Sequence, residues 1–309
     1  MKTTLGKLIH GAVGGACLLG LSAGAQAAVT MVEGAAGSGI VPWALLSGGK
    51  PTGAFTYIDV GDFRAFNIGF NASFADRVEV SVMRDVVDLG ANDIQKIVSG
   101  VAGEQTGNIN FDILGVKVKL VGMTDTLPQI AIGAYYKRTD LDKDVVNVVN
   151  CGTSARAFGG TCNDDDDSGW DAYVAATKVF PVGSKKVLLN LALQYGKGNQ
   201  LGILGFSDES SIQVGLTAGY FIADNLVFGF DYRWKPDESP VFKEDDWWDI
   251  WMAWFPDKNV AITAAYANLG DIVKEAADLN DNGAFDNSTS EGKDQQGLYL
   301  QFQINFDLF

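Results

Sequence analysis

Histidine is almost missing from this chain: the 309 residues hold one, His10, near the N-terminus. Imidazole is the usual proton carrier of general acid–base and nucleophilic catalysis. An enzyme built from this sequence would have to work with carboxylates alone, and no carboxylate pair stands out from the Asp-rich loops. No catalytic residue is assigned, and the sequence reads as a non-enzyme. Positive charge is also short, with 23 Lys and Arg against 38 Asp and Glu for a net −15. That balance excludes nucleic acid as a partner and disfavours attraction to anionic lipid. Beyond the leader, no segment approaches the ~18 uninterrupted apolar residues that a membrane-spanning helix requires. Proline is scarce, at 7 residues, against 37 glycines, which suits long strands that bend and pack closely.

What is present begins with an export signal. Lys2 and Lys7 precede the apolar stretch LIHGAVGGACLLGLSAG, and Ala25-Gln26-Ala27 forms an A-x-A cleavage site. Residues 1–27 are therefore expected to be a cleaved signal peptide. Its loss with Lys2 and Lys7 would take the net charge from −15 to −17. Of the 3 cysteines, Cys17 leaves with the leader. Cys151 and Cys162 remain in a Gly/Asp-rich loop, and an even pair in an exported chain predicts a disulfide.

The rest of the chain alternates. Successive side chains of a strand point to opposite faces. Segments of this kind are Ala54–Val60, Arg64–Phe74, Arg77–Arg84, Phe111–Val121, Gln129–Lys137, Val187–Tyr195, Ser211–Phe221, Leu226–Trp234, Asp246–Phe255, Val260–Ala267 and Gly297–Phe309. Trp170–Phe180 is a further strand whose phase is ambiguous. In the closing strand Leu298, Leu300, Phe302, Ile304, Phe306 and Leu308 share one face, and Tyr299, Gln301, Gln303, Asn305 and Asp307 share the other. The oily face is one residue out of phase with the terminal Phe309. Connections after the second strand alternate between tight (Phe74–Arg77, Phe221–Leu226, Phe255–Val260) and long (88–109, 139–168, 196–210, 235–245, 268–296). Strands of this length with such connectors predict an all-β, closed antiparallel transmembrane barrel of about twelve strands, with short periplasmic turns and long external loops. The location implied is the outer membrane of a Gram-negative bacterium. The expected partners are its lipid, the barrel-assembly machinery and small solutes.

Trp248, Ile250, Met252 and Trp254 share a face, and Trp248, Trp254, Trp234 and Tyr220 are expected to form the aromatic girdles at the membrane interfaces. The opposite faces carry Glu79, Lys117, Lys119, Lys137, Asp231, Arg233 and Asp249, the expected lumen lining. Twelve strands lie between a barrel filled by its own side chains and one with a wide channel, so a narrow or plugged lumen is expected. The segment 28–52, which includes VTMVEGAAGSGIVPWALLSGGK (Val29–Lys50), is too apolar to be left in water. It is expected to plug the mouth or sit at the seam, with 53–309 as the barrel. In DLNDNGAFDNST, Asp278, Asn280, Asn282 and Asp286 follow calcium-loop spacing around Gly283. Thr289 stands where such loops place a bidentate Glu, so affinity is expected near the 10⁻⁴–10⁻³ M range of extracellular modules. No other cofactor is expected.

VEGAAGSGIVPWALLSG, followed by YIDVGDFR and FADRVEVSV, resembles the outer-membrane family known as domain of unknown function 3034. The similarity spans most of the chain after the leader. It implies an outer-membrane barrel and brings neither substrate nor functional residues. Two functions stay open from sequence. One is a passive channel or transporter for small polar solutes, because the inward residues are polar. The other is a closed structural or surface-interaction barrel with calcium-binding acidic loops.

Overall fold

Twelve strands close on themselves in this computed structural model, which describes residues 28–48, 50–61, 63–90, 107–236, 239–240, 245–270, 278–279, 285–286 and 295–306. They are β1 Thr52–Val60, β2 Phe63–Phe74, β3 Val78–Asp88, β4 Asn108–Val121, β5 Gln129–Thr139 and β6 Ser168–Val182. β7 Lys185–Gly198, β8 Phe206–Ala223, β9 Leu226–Trp234, β10 Trp247–Asp257, β11 Val260–Asn268 and β12 Gln296–Asn305 complete the wall. Each strand pairs antiparallel with the next, and β12 closes on β1 from Gly297↔Val60 to Asn305↔Thr52. Leu308, Phe309 and Asp307 lie outside the described residues.

The alternation read from sequence sets which face meets which solvent. Phe66, Ile68, Phe70, Leu189, Leu191, Leu193, Leu298, Leu300 and Phe302 are exposed, whereas Asn67, Asn71, Asn190, Gln194, Gln301 and Gln303 are buried. Against water that arrangement is inside out; against hydrocarbon it is the favourable one. Ring closure also pairs every strand edge, as a lipid environment requires. The chain is an outer-membrane β-barrel. Trp234 and Trp248 lie towards one end of the wall, and Trp254 and Tyr220 towards the other. Trp234, Trp254 and Tyr220 are exposed, and Trp248 is half-buried against Tyr266, with ring centroids 6.2 Å apart.

Three differences from the sequence reading have local causes. β6 resolves its ambiguous phase with Trp170, Ala172 and Val174 outward and Asp171, Tyr173 and Thr177 inward. Small alanines on the outward face had hidden the alternation. β3 runs past Arg84 to Asp88 and so brings Asp85 inside. β8 starts at Phe206 rather than Ser211, with a register shift between those residues that breaks the pattern.

After the first hairpin (Val60–Phe63), the long connections all fall at the end opposite the tight turns. One contains α1, Lys143–Cys151, capped by Asp142, whose carboxylate accepts from the Asp144 N–H at 2.8 Å. Val145, Val146, Val148 and Val149 on α1 are buried, and a disulfide joins Cys151 to Cys162. Inside the wall, Gly229 makes room for a bulky neighbour: a Cβ there would lie 2.2 Å from the Trp251 ring.

Candidate functional site in the barrel lumen

The lumen is occupied by the chain's own N-terminal segment, residues 28–48. Val29–Thr30 pairs with Ala36–Gly37 across a tight turn, where the Met31 N–H donates to the Ala35 carbonyl and the Gly34 N–H to the Met31 carbonyl. Gly34 has φ +91°, a conformation that glycine adopts without strain. The turn holds Glu33 at its tip. Met31, Val41, Trp43 and Leu45 join Met83, Ile113, Tyr135, Tyr173 and Trp251 of the wall in one buried cluster. The rings of Trp43 and Trp251 lie 6.2 Å apart, and the Trp43 indole donates to Thr217 Oγ1 at 3.1 Å.

Most of this segment has no regular secondary structure, so its backbone needs partners from elsewhere. The wall supplies them. Thr177 Oγ1 accepts from the Ala44 N–H at 2.7 Å, Gln129 Nε2 donates to the Ala44 carbonyl at 2.7 Å, and Asn190 Nδ2 donates to the Pro42 carbonyl at 3.1 Å. Glu79 accepts from the N–H groups of Ala36 (2.9 Å) and Ser47 (2.6 Å). Lys117 Nζ donates to the carbonyls of Ala36 (2.7 Å) and Leu45 (2.9 Å) and pairs with Glu79 at 3.1 Å. Near the tight turns a cavity of about 70 Å³ remains between Ser47, Lys50, Asn71, Gln303 and Asn305. That is room for a few waters.

A charged cluster sits on the other side of the segment. Glu33 Oε1 accepts from Lys137 Nζ at 2.5 Å and from Gln194 Nε2 at 3.0 Å, and its Oε2 from Arg233 Nη1 at 2.6 Å. Lys137 also pairs with Asp171 and donates to the Leu201 carbonyl at 3.0 Å. Arg233 Nε donates to Gln213 Oε1 at 2.9 Å. Glu33 and Lys137 are fully buried, at 0 % exposure. Charges withdrawn from water this completely are tolerated only in mutual pairs.

The remaining residues assigned from sequence are placed as follows. Asp231 and Asp249 face each other across β9 and β10, both buried, with no cation paired to either among the described residues. The plug backbone comes close here, since a Cβ on Gly39 would lie 2.7 Å from Asp249 Oδ2. Lys119 is near the turn end and pairs with Asp76. Asp278 and Asp286 are backbone partners in a two-residue ladder. Their side chains, with Asn280 and Asn282, lie outside the described residues, and so does any calcium geometry of that loop. Elsewhere at the external end the carboxylates of Asp164 and Asp166, in the connection before β6, and Asp208, at the start of β8, lie within 4.8 Å of one another. Partial burial raises the Asp164 carboxyl above the usual carboxylate range, while the Asp208 N–H pulls the other way.

Glu33 stood out in the sequence only as a lone acid in an apolar segment, and its partners are 104, 161 and 200 residues away. Asp171 was hidden by the ambiguous phase of β6. The segment Asn199–Gly202 reads as part of a loop, yet it is buried, with Gln200 and Leu201 at φ +46° and +66°.

Residues 26–303 match the model of a family described as protein of unknown function (DUF3034). The chain belongs to that family. Among solved structures the DUF3034 barrel is similar to a KdgM porin, at 9 % identity and TM-score 0.46, over 83 % of this chain and 99 % of that one. It is also similar to LpxR from Salmonella typhimurium, at 12 % identity and TM-score 0.46, over 83 % and 100 %. A third likeness is to the COG4313 outer membrane channel from Pseudomonas putida F1, at 11 % identity and TM-score 0.45, over 86 % and 97 %. Likenesses this distant carry no weight on function; the barrel rests on the DUF3034 chain's own strand register. No match is found among curated proteins.

Proposed function

We propose that this protein is an outer-membrane channel for small polar solutes, held shut by its own N-terminal segment. The observation that carries the reading is how residues 28–48 are held: beside the apolar packing of Val29, Met31, Val41, Trp43 and Leu45, their irregular backbone and Glu33 are tied to wall side chains by hydrogen bonds and ion pairs. A lumen filled for good has no need of buried ion pairs, since well-packed apolar groups of similar volume are often as stable or more so. Ionisable groups at membrane depth are costly, and they typically mark solute paths. With the segment out, the wall would present Asn71, Asn190, Gln194, Thr217, Lys117 and Arg233 to the passage. The absence of histidine after the leader supports transport over catalysis.

The experiment is planar-bilayer conductance of the full chain and of a barrel lacking Val29–Gly48. The full chain is expected to open rarely, and the deletion to conduct steadily. A deletion barrel that folds but passes no current would overturn the channel. It would leave a closed structural barrel whose acidic loops hold calcium or a partner.

A further inference from the structure

The geometry points to the seat of Glu33 as a carboxylate-binding site of the lumen wall, which the plug occupies in place of a carboxylate-bearing solute. This inference names a solute class for the channel and rests on that reading. Glu33 is attached to the wall only through its carboxylate as far as polar contacts go, and it is presented at the tip of a tight turn, much as a free acid would present itself. The receiving groups all belong to the barrel: Lys137 on β5, Gln194 on β7 and Arg233 on β9. Both carboxylate oxygens are engaged, one by Lys137 and Gln194 and the other by Arg233. Charge-assisted bonds to carboxylate are among the stronger ones a protein makes.

The wall was not merely built to neutralise one plug acid. Arg233 Nη2 is buried with no hydrogen-bond partner, so the seat holds a donor that Glu33 does not use. A solute carrying a hydroxyl beside its carboxylate would use it. One fixed acid stands in the seat, Asp171 on Lys137. It offsets part of the positive charge, which keeps the site from holding an anion too tightly to release it. Above the seat lies the buried turn Asn199–Gly202, whose Leu201 carbonyl accepts a hydrogen bond from the same Lys137. Its two non-glycine residues at positive φ are strained, a condition that persists only where surrounding contacts impose it. Entry of an anion from the external side would release that contact together with the one to Glu33.

The test is chemical rescue. The full chain with Glu33→Ala keeps the plug but vacates the seat. Its thermal unfolding midpoint in lipid vesicles is measured in acetate and in chloride at matched ionic strength and pH. Acetate is expected to restore most of the midpoint lost by the substitution, and chloride and neutral acetamide none of it. Adding Arg233→Gln to Glu33→Ala should abolish the acetate response. Should Glu33→Ala not survive purification, its refolded fraction in acetate against chloride reads the same difference. Equal behaviour in acetate and chloride, or an acetate response that survives Arg233→Gln, would overturn the site. A second arm adds glucuronate or glucose to the barrel lacking Val29–Gly48: glucuronate alone should interrupt the current. A deletion barrel that folds but stays silent refutes the channel and leaves the rescue result standing. A conducting one that treats the two sugars alike refutes the carboxylate site only.

Discussion

Glu33 is where the account is most exposed, because a buried charge has few ways to be accommodated. Removing one partner of a buried, hydrogen-bonded set leaves the others uncompensated and costs about 3–5 kcal/mol. Glu33→Ala should therefore lower the unfolding free energy of the lipid-embedded barrel by roughly that amount. Glu33→Gln should cost less, since its carbonyl oxygen still accepts from Lys137 or Arg233. Equal losses for the two would mean that the pocket senses volume and not charge. Trp43 makes the complementary case. It is fully buried against Trp251, and Trp43→Ala is expected to cost about 3–5 kcal/mol through the cavity it leaves. Much of that should appear as faster proteolysis of the N-terminal segment while the strands stay protected. Lys137 and Arg233 were readable as inward residues, because alternation fixes the face. Their meeting at Glu33 was not, since it depends on a segment with no periodicity and on sequence separations that no local pattern encodes.

At the scale of elements, tight turns and external loops obey different constraints. In the turn between β2 and β3, Ala75 and Asp76 have φ of 51° and 49°, a left-handed pair usually given to Asn and Gly. Ala75→Gly should stabilise the barrel by up to about 1 kcal/mol, read from the urea midpoint in vesicles, because relief of the ~1–2 kcal/mol left-handed cost outweighs the entropy that glycine adds to the unfolded chain. An unchanged or lower midpoint would mean that the turn is relaxed in some other way. On the external side, α1 depends on buried valines and on the Cys151–Cys162 disulfide. Replacing both cysteines with serine should speed protease cleavage within residues 140–167 and leave the unfolding of the wall unchanged. A wall that unfolds earlier would place α1 within the cooperative core of the barrel. The strands were legible because a membrane wall forces a period of two along nearly every residue. Asn199–Gly202 was not, because an inward-folded loop obeys contacts and not a period. β6 lost its phase for a related reason: alanine satisfies either face.

The whole molecule is a wall whose inner surface is written to suit its contents. Asparagine, glutamine, threonine and lysine point inward because an irregular strand of backbone lies there and needs acceptors and donors. Hydrocarbon outside and peptide inside thus impose opposite polarities on the same strands, and the alternation seen in the sequence records both. The central claim is that residues 28–48 keep the pore shut, and a cross-link tests it most directly. Ser38 Oγ in the segment and Thr217 Oγ1 on β8 lie 3.4 Å apart. A Ser38→Cys, Thr217→Cys barrel that also carries Cys151→Ser and Cys162→Ser can be oxidised to tie the segment to the wall. Its single-channel current is then recorded before and after reduction. The account predicts silence while the tie is intact and openings once it is reduced. Equal current in the two states would contradict it.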